Sequence, residues 1–252
     1  MRLSTSGKVI LLLDYDGTLA PICRRPDLAV LSPAMRKLLS DLKGISSITL
    51  ALVTGRSHED IRRMVRLKDI IYVSNHGFQI RHGRKCWVHP EVKTVRTVLQ
   101  GVSLLLEESL REFYMAVVEN KKFTLSVHYR GEENKNAAMI TRAVRRLAGG
   151  YPGSLKAVRG KKVIELRPDV AWNKGAASLK LLSMLSQQQE APLVIYIGDD
   201  KTDEDAFREL ERSAVTIRVG RGCSTSAKYR LRSVGEVEKL LMMIKSEKCP
   251  QL

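Results

Sequence analysis

The chain has 252 residues, 44% of them hydrophobic and 28% charged, with a net charge of +16. That balance belongs to a folded protein and excludes a disordered one, and no apolar run approaches the roughly 18–20 residues of a membrane helix. The basic residues are scattered, from Arg24-Arg25 and Arg62-Arg63 to Arg145-Arg146 and Lys228–Arg232, and only 5% of residues are aromatic, so a solvated basic surface is expected rather than a nucleic-acid platform.

The first strand is expected at Lys8–Tyr15, where Val-Ile-Leu-Leu-Leu reads as buried on both faces. Ser32-Pro33 opens a helix, with Ser as N-cap and Pro at the first helical position. Ser47–Val53 is a second buried strand ending at Thr54-Gly55-Arg56. Ser57 caps the next helix, with Asp60 spaced as in a capping box. Ile70–Ser74 is a third strand. This order implies a parallel sheet with right-handed crossovers.

After Gly77 the pattern changes. Phe78–Val88 reads as a hairpin around Gly83, Val92–Phe113 as a helix, and Phe123–Arg130 as an alternating strand. A helix near Asn136–Ala148 and an alternating strand at Lys162–Arg167 follow. The doubly wound style returns with a helix through Ala176–Leu185, a strand at Leu193–Ile197, a helix capped at Thr202, a strand at Ala214–Val219 and a last helix capped by Ser233. The fold class is therefore α/β: a doubly wound parallel-sheet core, residues 1–84 and 169–252, with a smaller α+β unit inserted at 85–168. Cys23, Cys86, Cys223 and Cys249 form no CxxC pair and suit free thiols in a reducing compartment. With no cleavage signal before the first strand, a cytoplasmic location is expected.

The informative polar residues stand at strand ends, where ligands of such sheets gather. Asp14 and Asp16 share one side of the first strand by period two, and Gly17 permits a turn away from it. Two clustered carboxylates repel unless a cation relieves them, and without Cys or His beside them a hard ion such as Mg²⁺ fits. Asp14 suits attack on phosphorus to give an acyl phosphate. Asp16 suits protonation of the leaving alcohol and later activation of water. Thr54 offers a hydroxyl and a backbone N–H to a phosphate oxygen. Lys174, at a helix start, neutralises phosphate and Asp14. Asp199-Asp200 complete a metal site, and Asp203 sits at a helix start.

Asp14-Tyr15-Asp16-Gly17-Thr18, Thr54-Gly55-Arg56, Lys174 and Gly198-Asp199-Asp200-Lys201-Thr202-Asp203-Glu204-Asp205 resemble the motifs of the haloacid-dehalogenase superfamily of phosphatases. Leu19-Ala20-Pro21-Ile22, Ser74-Asn75-His76-Gly77, Val127-His128-Tyr129-Arg130, Lys162–Pro168, Trp172-Asn173-Lys174-Gly175 and Thr202–Phe207 narrow the resemblance to the trehalose-6-phosphate phosphatase family. The resemblance implies a Rossmann-like core with an α/β cap, Asp14 as nucleophile and Asp16 as general acid/base. It implies Mg²⁺ on the Asp14 carboxylate, the Asp16 backbone carbonyl and Asp199, with Asp200 and Asp203 behind them.

The inserted domain is expected to read the sugar. Thr124, Ser126, His128 and Arg130 share one strand face, and Lys161, Val163, Glu165 and Arg167 share another. Such rows suit either Lys–Glu pairs on a solvent face or sugar hydroxyls. The family resemblance points to Glu165, Lys161 and Arg130, with His128, as sugar contacts. Gly55 and Asn75 are counted with the substrate-binding residues. His76 stands open between a structural and a ligand-contacting role, and Arg56 between a substrate contact and a helix-dipole neighbour. The expected partner is a small-molecule sugar phosphate rather than nucleic acid or membrane, handled by a monomer acting after a trehalose-phosphate synthase. Related sugar phosphates, such as sucrose phosphate or mannosyl- and glucosyl-glycerate phosphates, are the alternative substrates.

Overall fold

The computed structural model describes residues 7–23, 28–160, 162–186, 191–222 and 224–249. It divides into two compact units, residues 1–87 with 172–252, and Val88–Ala171. The sequence reading put the inserted part at 85–168. The strand Lys85–Val88 instead continues the large sheet, which carries unit one through Trp87.

Unit one is built on an eight-stranded sheet. Its strands in chain order are β1 Val9–Leu13, β2 Ile48–Val53, β3 Ile71–Ser74, β4 Gln79–His82, β5 Lys85–Val88, β10 Leu193–Gly198, β11 Val215–Val219 and β12 Tyr229–Leu231. Their spatial order is β12-β11-β10-β1-β2-β3-β4-β5. The β12 to β3 stretch is parallel throughout, and β4 returns antiparallel to β3. The chain winds one way from β1 through β2 to β3 and the other way from β10 through β11 to β12. The order therefore reverses between β1 and β10, where Leu13 sits opposite Ile197. That switch point leaves a crevice at the C-terminal strand ends.

The run of five apolar residues in β1 follows from double-sided burial. Val9, Leu11 and Leu13 pack with α1 Pro33–Lys43, α2 His58–Val65 and α7 Val234–Lys248. Ile10 and Leu12 pack with α5 Lys174–Leu185 and α6 Asp203–Glu209 on the opposite face. Each leucine of β1 is fully buried, worth about 2 kcal/mol relative to exposure.

Unit two has its own core. A four-stranded antiparallel sheet, in the order β6 Val117–Asn120, β7 Leu125–His128, β9 Val163–Pro168, β8 Leu155–Arg159, is covered on one face by α3 Val92–Ser109 and α4 Asn134–Gly149. Leu125, Val127, Ile164 and Leu166 meet Leu99, Val102, Ile140 and Val144 there. Cys23, Cys86 and Cys249 are free, and Cys223 lies outside the described residues. Among the described residues no helix is long and apolar enough to cross a membrane.

Candidate active site

At the β1–β10 switch point the chain turns sharply. The Asp14 N–H donates to the Ile197 carbonyl, which fixes the end of β1 against β10. Gly17 then takes φ +82°, and a Cβ there would lie 2.1 Å from Asp199 Oδ2. Only glycine lets the Asp199 carboxylate come up against the Asp16–Gly17 segment.

Lys174 begins α5 behind the N-cap Asn173, whose side chain accepts from the Ala176 N–H at 2.8 Å. Its buried Nζ lies 2.8 Å from Asp14 Oδ1 and 2.8 Å from Asp203 Oδ1. Asp203 is fully engaged. Oδ1 also accepts from the Tyr196 hydroxyl, and Oδ2 accepts from the backbone N–H groups of Asp199 and Asp200. Asp200 Oδ1 accepts from the Thr202 N–H, the Thr202 hydroxyl and the Asp203 N–H. Asp200 thus supplies the cap that the sequence assigns to Thr202, whose side chain caps nothing.

Ligand oxygens of Asp14, Asp199 and Asp203 lie within 4.8 Å of one another. Asp203 has spent its lone pairs, so it orders the loop rather than offering a free ligand. Asp199 is the opposite case: its Oδ1 is buried and has no hydrogen-bond partner among the described residues. One ammonium cannot neutralise this many carboxylates. Burial pushes the Asp14 carboxyl well above its usual range, against the pull of Lys174 and with help from Asp203 and Asp199. Burial, then Asp200 and Asp203, push Asp199 up to about 7. Burial, opposed by Lys174, pushes Asp203 up to about 6. Burial disfavours charge on Lys174, but Asp14 and Asp203 outweigh it and raise its pKa well above the ordinary value. The unpartnered oxygen and the excess of hard oxygen donors fit a divalent cation such as Mg²⁺.

Asp16 points elsewhere. Both its carboxylate oxygens accept from Arg56, Oδ2 from Nε at 2.7 Å and Oδ1 from a terminal nitrogen at 2.6 Å. The buried guanidinium also reaches Asp60 Oδ2 at 2.7 Å and lies 5.4 Å from the Tyr15 ring centroid. Asp60 therefore spends its carboxylate on Arg56 and Arg63, while its N–H is capped by Ser57 Oγ. This clamp was not read from the sequence. A run Thr-Gly-Arg carries no sign of where a long side chain lands, although an Asp four residues after an Arg in a helix start is a usable hint.

Thr54 is buried, and its hydroxyl oxygen accepts from the Arg56 N–H at 3.2 Å. Its own N–H donates to the Val73 carbonyl in the sheet ladder, so that donor is not free for phosphate as expected. Gly55 admits no side chain: a Cβ would sit 2.3 Å from the His76 ring. Asn75 and His76 both take left-handed φ, at 52° and 55°, a strained pair of the kind found at functional sites. The Asn75 N–H donates to the Arg56 carbonyl, and its buried Oδ1 has no partner among the described residues.

In unit two, Glu165 gathers donors on the polar sheet face. It accepts from Lys121 Nζ at 3.1 Å, Ser126 Oγ at 2.9 Å and Arg167 Nε at 2.8 Å. His128 Nε2 lies 2.9 Å from Glu119 Oε2. Lys121 and Glu119 complete this network and were not singled out in the sequence, because β6 shows no clean alternation. Arg130 lies beyond the end of β7 and is exposed. Lys161 lies outside the described residues.

The sequence matches the family described as trehalose-phosphatase over residues 12–234. It is 35% identical to probable trehalose-phosphate phosphatase D of Arabidopsis thaliana, over 96% of this chain and 68% of that protein. It is 34% identical to trehalose-phosphate phosphatase B of the same plant, over 94% of this chain and 67% of that protein. Among solved structures, a trehalose-6-phosphate phosphatase related protein superposes with a TM-score of 0.83 at 28% identity, covering 94% of this chain and 96% of that one. The C-terminal domain of a Candida albicans trehalose-6-phosphate phosphatase shares the fold, with a TM-score of 0.79 at 20% identity over 97% of this chain and 94% of that one.

Proposed function

The chain belongs to the trehalose-phosphatase family, and from that premise we propose that it hydrolyses trehalose 6-phosphate to trehalose and phosphate through a phosphorylated Asp14. One observation carries the chemistry: a buried lysine bridges Asp14 and Asp203 beside an Asp199 oxygen that has no hydrogen-bond partner among the described residues.

Lys174 holds one oxygen of Asp14 and leaves the other to attack phosphorus in line with the leaving trehalose oxygen. Its fixed positive charge also favours the charge gathered on the phosphoryl oxygens. The Thr54 hydroxyl donates to one of those oxygens. Asp14, the Asp16 carbonyl and Asp199 would hold a Mg²⁺ ion, which would supply the positive charge that keeps these carboxylates ionised next to a phosphate. Asp16 gives its proton to the leaving alcohol and then takes one from the water that cleaves the acyl phosphate. With both oxygens in the Arg56 fork, Asp16 must free one oxygen to do so, while the bond from Arg56 to the other keeps the half-exposed side chain oriented. The Glu165, Lys121 and Arg167 group, with His128 and Glu119, offers paired donors and acceptors suited to sugar hydroxyls. Upstream, a synthase must supply the phosphorylated disaccharide, and the cytoplasm is the fitting compartment.

The test is phosphate release from trehalose 6-phosphate in Mg²⁺ and in chelator, set beside sucrose 6-phosphate, glucose 6-phosphate and a mannosylglycerate phosphate. Turnover that needs the metal and is highest in kcat/KM on trehalose 6-phosphate is expected. A higher value on another sugar phosphate would overturn the substrate, and full rates in chelator would overturn the metal.

A further inference from the structure

Helix α4 carries no acidic residue along its 16 positions. Arg142, Arg145 and Arg146 fall on one side of it by helical spacing, and all three are exposed. Arg159 at the end of β8 and Lys162, held at φ 61° before β9, join them around a groove of about 990 Å³. Buried Tyr129 contributes to the lining. The groove lies wholly within unit two.

Among the described residues none of these five cations pairs with a carboxylate. Other basic side chains of the chain do so, including Arg56, Arg63, Arg111, Lys121, Arg167 and Arg218. Like charges three and four residues apart oppose a helix, and an anion between them relieves that repulsion. Four of the five cations are arginines, whose planar forks match phosphate oxygens in pairs. The groove is open on one side, and its volume falls within the range of small-molecule sites, about 300–1,000 Å³. A nucleic acid needs an extended basic track and aromatic platforms, and the groove lining offers one aromatic ring.

We propose that this groove binds a small anion carrying two or more phosphate groups, at a site distinct from the Asp14 cluster. The test is calorimetric titration of the full chain with inorganic tripolyphosphate in chelator at about 0.15 M salt. Saturable one-to-one binding is expected. In R142Q/R146Q it should weaken about a hundredfold, with kcat/KM on trehalose 6-phosphate unchanged. In R142K/R146K, which keeps the charges and removes the forks, a loss of about tenfold is expected, and this variant carries the test if the glutamine pair fails to fold. Unchanged binding in both variants would overturn the proposal. So would equal displacement by orthophosphate, or a parallel fall in kcat/KM, which would assign the groove to the substrate. Tighter binding of a mixed-sequence single-stranded RNA, lost in the same variant, would reassign it to nucleic acid.

Discussion

Arg56 is the side chain whose removal separates placement from chemistry. Arg56→Ala strips both Asp16 oxygens of their Arg56 donors and leaves the Asp60 carboxylate its ion pair with Arg63. A destabilisation of about 1–3 kcal/mol is expected, with kcat lower by about ten- to a hundredfold and KM little changed. Arg56→Lys should recover stability better than rate, because an ammonium cannot hold both Asp16 oxygens in one plane. An unchanged kcat would leave Arg56 a purely structural residue. Asp14→Asn should remove nearly all turnover while the far-ultraviolet spectrum stays native, and near-normal rates would discard the nucleophile. Asp14, Lys174, Asp199 and Asp203 could be picked from the sequence because each follows a strand or starts a helix, positions that the hydrophobic pattern marks. Arg56 on Asp16, Lys121 on Glu165 and Tyr196 on Asp203 could not, since each joins residues far apart in the chain or buried in an apolar run.

At the level of elements, α5 is the lever on which Lys174 rides. Asn173→Ala deletes the bond to the Ala176 N–H and should cost about 1 kcal/mol. The first turn then frays, so activity should fall more than that loss predicts for a remote cap. Thermal unfolding and single-turnover kinetics on the same preparation check this, and a stability loss with unaltered rate would show that the cap does not position Lys174. The parallel strands β1, β2, β3 and β10 were legible because double-sided burial writes continuous apolar runs. Three strands were not. β6 and β8 flank the small sheet and β12 the large one, and each carries mixed short sequences, Val-Val-Glu-Asn, Leu-Lys-Ala-Val-Arg and Tyr-Arg-Leu, that a half-exposed edge tolerates.

Across the whole molecule, the acidic cluster ties stability to pH. In the metal-free chain Asp199 is raised to about 7 and Asp203 to about 6. A carboxyl raised on folding binds its proton more tightly when folded, so its contribution is greatest below that range and is lost as pH rises from about 4 through about 7. Mg²⁺ competes with those protons. The rise in Tm on adding Mg²⁺ should therefore be larger at about pH 8 than at about pH 6, as read by calorimetry with and without chelator. A larger rise at the lower pH would place the ion elsewhere.

The split of unit one into two sequence segments sets an order of events during synthesis. β1 emerges before the inserted unit, yet its partner β10 leaves the ribosome only after all of Val88–Ala171 has been made. Until then one edge of a Val-Ile-Leu-Leu-Leu strand has no neighbour, while the inserted unit already holds every strand of its own sheet. The inserted unit is thus able to finish folding first, and the nascent first segment is the stretch that a chaperone would need to shield.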